Sequence, residues 1–445
     1  MPQSFLLVIF IPYNIEYFFY LFNFLKPIYF IILYGSPIMI KALPPIWLLI
    51  LIAGLPQVSE TIYSPSLPDI AHSLAVPDSW VEYTLTIYLA GFAVGTLFWG
   101  KLSDRLGRKP CLLIGISVFI LGCVGCYFST SIIQLMISRF IQSFGGSTGS
   151  VLGQAITRDV FRGVERGKVY STVAAALFLS PAIGPFIGGT IDQYFGWAAI
   201  FLILTIAGIF VFLSTTYKLP ETHSTRTASI SLSKIARNLI RDKHVLGYGL
   251  VVAAANGIHF SYYAEGPFYL IDLLGLSPSV YGLTFIGFGF MGILGAWLSR
   301  TLHQYFSSKS ILWKGILIQL SAVSFFLIAT LTLEIFPLPP LISIIVTVGS
   351  MAILSAGTAM IIPNCLSLAL EDYQHAVGTA SSLFGFFYYT LASLMTLFMG
   401  LLHNDTKYPM PLYFFGIVLF ILVVFLQFIS KEEKKESKVP TPSVA

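Results

Sequence analysis

Six polar residues in apolar surroundings are the first candidates for chemistry in this chain: Glu60, Arg139, Gln142, Asn256, His259 and Glu265. All lie in runs long enough to span a bilayer, where an ionisable group costs at least about 2.5–3.5 kcal/mol at the midplane. Such a residue is kept where it binds something, passes a proton or is tied to backbone carbonyls. Arg139 opens the series Arg139, Gln142, Ser143, Gly146, Ser150 and Gly153, spaced three or four apart and so on one helix face. Its small residues let a neighbouring helix come close, while Arg139 and Gln142 supply donors. This face is expected to bind a substrate or couple a proton; a purely structural arginine is the alternative. Glu60 is the acidic counterpart, about 16 residues and roughly 24 Å into the first span, ahead of Tyr63-x-Pro65. Burial and a nearby guanidinium act on a carboxyl in opposite directions, which suits a group that loads and releases a proton. A carboxylate wetted at the interface is the alternative.

Glu265 sits in similar company, between Tyr262-Tyr263 and Gly266-Pro267, with Asn256 and His259 nearer the middle of the same span. These three are further candidates for substrate contact, and for His259 a hydrogen-bonded bystander is the competing reading. Asn364, after Pro363, reads as a cap or kink. The fifth span contains Ser180-Pro181-Ala182-Ile183-Gly184-Pro185-Phe186-Ile187-Gly188-Gly189. Proline removes helix hydrogen bonds and glycine admits close contact, so this is a bendable, tightly packed interface.

The elements that hold these residues follow from composition. Of 445 residues, 56% are hydrophobic and 10% charged, and mean hydropathy is +0.83. Lipid-facing helices need such a surface; a soluble protein of this size does not tolerate it. Spans of about 20 apolar residues fall near 44–63, 82–101, 110–128, 131–156, 168–191 and 197–217. A second set falls near 245–270, 281–300, 310–333, 340–366, 376–401 and 408–429. The expected fold is an all-α membrane protein of twelve transmembrane helices in two six-helix halves, residues 39–217 and 244–430. A linker at 218–243 joins them and a tail follows at 431–445. The segments 101–109, 158–168, 218–243, 300–314 and 431–438 hold 21 of the 25 basic residues, which places them and both ends of the twelve-span core in the cytoplasm. The net charge of +5 therefore calls for no nucleic acid.

Residues 1–38 are an extra hydrophobic N-terminal segment broken by Pro12, Lys26-Pro27 and Pro37. No basic n-region or small-residue cleavage site marks it as a signal peptide. A mis-assigned start or an interfacial segment is expected, with Met39-Ile40-Lys41 as the true beginning. Cys123-x-x-Cys126 lacks a second ligand pair and reads as small buried hydrophobes, with no metal and no cofactor expected.

Between the second and third spans lies Gly100-Lys101-Leu102-Ser103-Asp104-Arg105-Leu106-Gly107-Arg108-Lys109, a charged turn that must sit at a membrane surface. Asp104 can cap a helix N-terminus, and Arg105 or Arg108 can pair with Asp159. This turn resembles the G-x-L-x-D-R-x-G-R-K loop of the major facilitator superfamily. Arg139–Gly146 looks like its span-four R-x-x-Q-x-x-G-G motif, and Ser180–Gly189 resembles its antiporter motif. Gln154–Phe161 and Glu60–Pro68 are similar to elements of the Bcr/CflA-type drug/proton antiporters, with Glu60 where that type usually has Asp. Gly295–Arg300 is an eroded second copy of the loop.

The resemblance covers roughly Lys41 to Ile429. It implies proton-coupled efflux of a small amphipathic or drug-like molecule by alternating access, from a monomer embedded in bacterial inner-membrane lipid. Glu60 and Arg139 then couple protons, and Arg139, Gln142, Asn256, His259 and Glu265 contact substrate. The gating set is Gly100, Asp104, Arg105, Gly107, Arg108, Asp159, Pro181, Gly184, Pro185, Gly188 and Gly189. A uniporter or nutrient importer of the same fold, and a non-transporting membrane sensor, are the rival readings. No nucleotide-binding or nucleophile motif suggests an enzyme.

Overall fold

Hydrocarbon offers no partner to an unpaired backbone N–H or C=O, so each apolar run must close its hydrogen bonds as helix. A computed structural model describes residues 43–222, 232–336, 338–404 and 406–430, and among these there is no strand. The extension at 1–38 and the tail at 431–445 lie outside the described residues. Ten helices of the described chain are long and apolar enough to cross a membrane. In chain order they are α1 (Ile46–Leu74), α2 (Asp78–Leu106), α3 (Arg108–Tyr127), α6 (Trp197–Lys218), α7 (Lys243–Leu273), α8 (Pro278–Leu302), α9 (Ser308–Ile335), α10 (Pro340–Ala369), α11 (Gly378–Leu402) and α12 (Pro409–Ile429). Two more helices of spanning length, α4 (Ile132–Val160) and α5 (Gly163–Phe195), fill the remaining positions. Helix α4 is diluted in apolar character by Arg139, Gln142 and its glycines and serines. The linker contributes a short helix, Leu232–Arg241.

Three of these helices depart from regular winding: α12 ends in a π-helical turn, Phe425–Ile429, and two others change just after a buried acid. α1 is regular over Ile46–Thr61, then tightens into a 3-10 turn at Ser64–Ser66 before resuming at Leu67. Pro65 has no N–H to donate and its ring crowds the turn before it. α7 runs regularly to Pro267 and continues as a π-helical turn, Phe268–Leu273. Glu60 and Glu265 stand immediately before these breaks.

Helix α4 packs on α1, α2 and α3, and α10 packs on α7, α8 and α9. The two sets of six meet along two seams, α5 with α8 and α2 with α11. At the second seam Ser393 Oγ donates to the Thr86 carbonyl at 2.8 Å, and the rings of Phe92 and Tyr389 lie 4.7 Å apart. Near the α1 break, Ser64 Oγ donates to the Tyr263 carbonyl of α7 at 2.6 Å.

Candidate functional site

Arg139 is wholly buried, and its surroundings explain how an arginine survives there. The guanidinium carbon lies 3.8 Å from the ring centre of Tyr63 (α1) and 4.1 Å from that of Tyr88 (α2). A planar, weakly hydrated cation between two aromatic faces recovers part of its lost hydration through the ring quadrupoles. Its Nη1 donates to the Ser59 carbonyl at 3.3 Å and to Gln142 Oε1 at 2.5 Å. Gln142 in turn donates from Nε2 to Cys123 Sγ at 3.0 Å on α3. The rings are fixed from behind: Tyr88 Oη donates to the Pro56 carbonyl at 2.9 Å, and Tyr63 Oη meets Thr84 Oγ1 at 3.2 Å. Among the described residues, Nε and Nη2 of Arg139 find no hydrogen-bond partner. Donor capacity is therefore left over inside the membrane.

The Arg139–Gln142 pairing lies on the face expected from the spacing. Glu60 does not close an ion pair with Arg139; it is buried on α1, and its Oε1 accepts no hydrogen bond. It lies within electrostatic reach of Arg139 and of the hydroxyls of Tyr88, Tyr263, Tyr388 and Tyr389, so it looks across to α7 and α11. Asn256 and His259 are not drawn into this cage. Each turns to the carbonyl four residues back in its own helix, Asn256 Nδ2 to Val252 at 3.0 Å and His259 Nδ1 against Ala255 at 2.9 Å. His259 also stands edge-on to Phe288. Asn364 donates to its own Met360 carbonyl and to Ser299 Oγ, tying α10 to α8.

The Ser180–Gly189 segment stays helical through Pro181 and Pro185. Its glycines mark where backbones touch. A Cβ on Gly184 would strike Thr61 Oγ1, one on Gly188 the Ile62 carbonyl, and one on Gly189 the Pro278 carbonyl. From the other side, a Cβ on Gly282 would press on the Pro185 carbonyl. Helix α5 is thus wedged between the broken part of α1, one residue past Glu60, and the start of α8.

The charged turn is a one-residue joint at Gly107, whose φ of 99° favours glycine. Arg108, rather than Arg105, is the organiser. Its Nε donates to Asp159 Oδ2 at 3.0 Å, and its Nη1 to Asp104 Oδ1 at 2.7 Å and Ser103 Oγ at 2.6 Å. Arg105 is exposed, and Gly100 faces Ser382 on α11. The expectation that Asp104 caps a helix is corrected: the N-terminus of α3 is capped by Glu221, which follows α6. Its carboxylate accepts from the backbone N–H of Arg108 at 3.0 Å and of Lys109 at 3.1 Å. Asp104 is spent on Arg108. Surface ion pairs are worth about 0–1 kcal/mol and helix caps typically about 1 kcal/mol. Glu221→Ala should therefore lower the thermal midpoint of detergent-purified protein more than Asp104→Asn does; the reverse order would return the capping role to Asp104.

The Major Facilitator Superfamily matches residues 46–396, the stretch that holds the cage, the turn and the α5 wedge. The chain belongs to this superfamily. Among curated relatives, this facilitator is 33% identical over 369 residues to an uncharacterized transporter of Rickettsia bellii, covering 81% of this chain and 91% of the relative. It is 30% identical to a bicyclomycin resistance protein homologue of Haemophilus influenzae (86% and 96% covered), in agreement with the Bcr/CflA resemblance of its motifs. It is 26% identical to multidrug resistance protein D of Escherichia coli (76% and 84% covered). Its fold is similar to that of the xylose transporter XylE from E. coli in a partially occluded inward-open conformation (TM-score 0.66, 15% identity, 86% and 98% covered). It is also similar to an inward-facing bacterial homologue of the human lysosomal transporter Spinster (TM-score 0.68, 14% identity, 89% and 98% covered). Family and relatives are transporters, and this facilitator is a multi-pass membrane transporter rather than an enzyme.

At the end opposite the charged turn the facilitator carries a polar cluster that its sequence pattern did not suggest. His403, just past α11, places Nδ1 at 3.0 Å from Glu265 Oε2 and 3.5 Å from Glu82 Oε1, and Nε2 at 3.6 Å from Asp78 Oδ2. The Asp78 carboxylate first, then Glu265, push the His403 imidazole up to about 11, against the opposing effect of its burial. Glu82 opens the apolar run of α2 and His403 follows α11, positions where charge is ordinary, and their partners are far away in sequence. The one signal available is the full burial of a carboxylate that a span-end position does not require.

Proposed function

We propose that this facilitator is a proton-coupled antiporter that exports a small amphipathic or drug-like molecule from a bacterial cell by alternating access. The observation that carries this reading is the Arg139 cage: a buried guanidinium with spare donors, within electrostatic reach of the buried Glu60 carboxylate, whose Oε1 accepts no hydrogen bond among the described residues. Proton and substrate then compete for one electrostatic environment, which is what antiport requires. The aromatic residues facing Glu60 from α7 and α11 offer an apolar, sequence-tolerant surface to flat or amphipathic molecules. Drug-resistance relatives support efflux over uptake. In this reading the halves 39–217 and 244–430 rock about the α5–α8 and α2–α11 seams. The charged turn is a cytoplasmic latch, with Asp104, Arg108 and Asp159 biasing the conformers. The linker at 218–243 and both ends of the core are then cytoplasmic too, in the inner membrane, and a monomer suffices.

Proteoliposomes with an imposed pH gradient test the proposal, using chloramphenicol and bicyclomycin as the first probes. Transport of at least one should follow the gradient in the wild type. Glu60→Gln should remove that dependence while leaving probe binding within a fewfold. Gradient-driven transport that persists in Glu60→Gln would overturn the coupling role, and gradient-insensitive wild-type transport would indicate a uniporter.

A further inference from the structure

Glu82 is wholly buried, and among the described residues neither of its carboxylate oxygens receives a hydrogen bond. One of them belongs to a group in which single donor atoms of Glu82, Glu265 and His403 lie within 4.8 Å of one another. Gly400 on α11 makes room for this carboxylate, since a Cβ there would lie 3.2 Å from Glu82 Oε2. The cluster opens into a cavity of about 190 Å³ lined by Asp78, Glu265, Phe268, Asp272, His403 and Thr406. Three carboxylates therefore stand against the His403 imidazole, Asp78 and Glu82 from α2 and Glu265 from α7. Even with the imidazole charged, these carboxylates outnumber it, so the cluster favours a further positive charge.

We propose that His403 Nδ1 and the carboxylates of Glu82 and Glu265 bind one divalent transition-metal cation, with Zn2+ as its best-fitting member. One imidazole and two carboxylates are a zinc-type donor set, and ligand atoms about 2.0–2.2 Å from a tetrahedral metal stand about 3.3–3.6 Å apart. The 3.0 and 3.5 Å separations from Nδ1 lie close to that edge, and all three donor pairs fall within 4.8 Å. Asp78 stands behind the far ring nitrogen, Nε2, where a carboxylate orients a ligating histidine. The cavity leaves the fourth position open to water. A metal here displaces the proton that the same carboxylates hold on His403. It also pins α2 of the first half to α7 and the end of α11 in the second.

The test is a binding measurement on full-length, chelator-stripped protein in detergent, so it stands or falls independently of the antiport reading. Zn2+ titrated by calorimetry should bind at about one ion per chain with micromolar or tighter affinity, and should raise the thermal midpoint. Mg2+ should not substitute. Glu82→Gln and His403→Gln should each weaken Zn2+ by about tenfold or more. Gly400→Ala keeps every donor but crowds Glu82, and should also weaken binding; with His403→Gln it decides the matter if Glu82→Gln fails to fold. No Zn2+ binding up to about 1 mM, or binding unchanged in His403→Gln and Gly400→Ala, overturns the site and leaves a proton as its only cation.

Discussion

Arg139→Ala is expected to abolish gradient-driven transport in proteoliposomes, a loss of at least about a hundredfold, while the protein still reaches the membrane. A hundredfold loss corresponds to about 2.7 kcal/mol in the coupled step. The cage supplies that scale: desolvated cation–π contacts run to about 2 kcal/mol or more each, and Arg139 makes two short ones, to Tyr63 and Tyr88. Alanine also leaves the Ser59 carbonyl and Gln142 Oε1 without their donor. Arg139→Lys is the sharper variant. It preserves the charge, but an ammonium cannot lie flat between two rings, nor serve two acceptors while keeping others in reserve. Lysine should therefore fail to restore transport. Retention of half the wild-type rate by either variant, normalised to membrane abundance, would show that the arginine is structural.

Gly188→Ala should produce the second large effect, on folding rather than on chemistry. Overpacking a core commonly costs about 1–3 kcal/mol when side chains can shift. Here the obstacle is backbone, the Ile62 carbonyl, at a point where α1 already departs from regular helix. The expected result is a collapse in the monodisperse fraction on size exclusion, with the surviving protein unfolding at a lower temperature. Gly196→Ala is the contrast: nothing lies near a Cβ there, and its φ of 77° alone makes the substitution unfavourable. A Gly188→Ala protein as monodisperse and stable as wild type would mean that α5 does not bear on α1 in the membrane.

Much of the architecture is legible in the sequence because a bilayer imposes a simple rule. Twelve runs of suitable length, and the turn at Gly100–Lys109, are visible without any knowledge of contacts. So is the Arg139–Gln142 face, because helical periodicity alone puts those two residues together. What is not legible depends on which helices are neighbours. The Tyr63 and Tyr88 rings that enclose Arg139 come from two other spans, and nothing in their local sequence distinguishes them from the chain's many other aromatics. Glu221 is 113 residues from Arg108, at the helix end that it caps. Short-range rules favoured Asp104 for that task, but Arg108 takes Asp104 first. The sequence puts Glu60 and Arg139 in the same apolar setting, but does not show that the guanidinium's contacts are two tyrosine rings and a glutamine.

The contact between Gln142 and Cys123 has a practical consequence. All four cysteines are buried, Cys123 completely so. A water-soluble maleimide should thus find the native chain nearly dark, and single reporter thiols can be installed without first removing any. Slow labelling at Cys123 would then act as a stopwatch. It would count how often α3 lifts from α4 beside the cage, one local opening at a time.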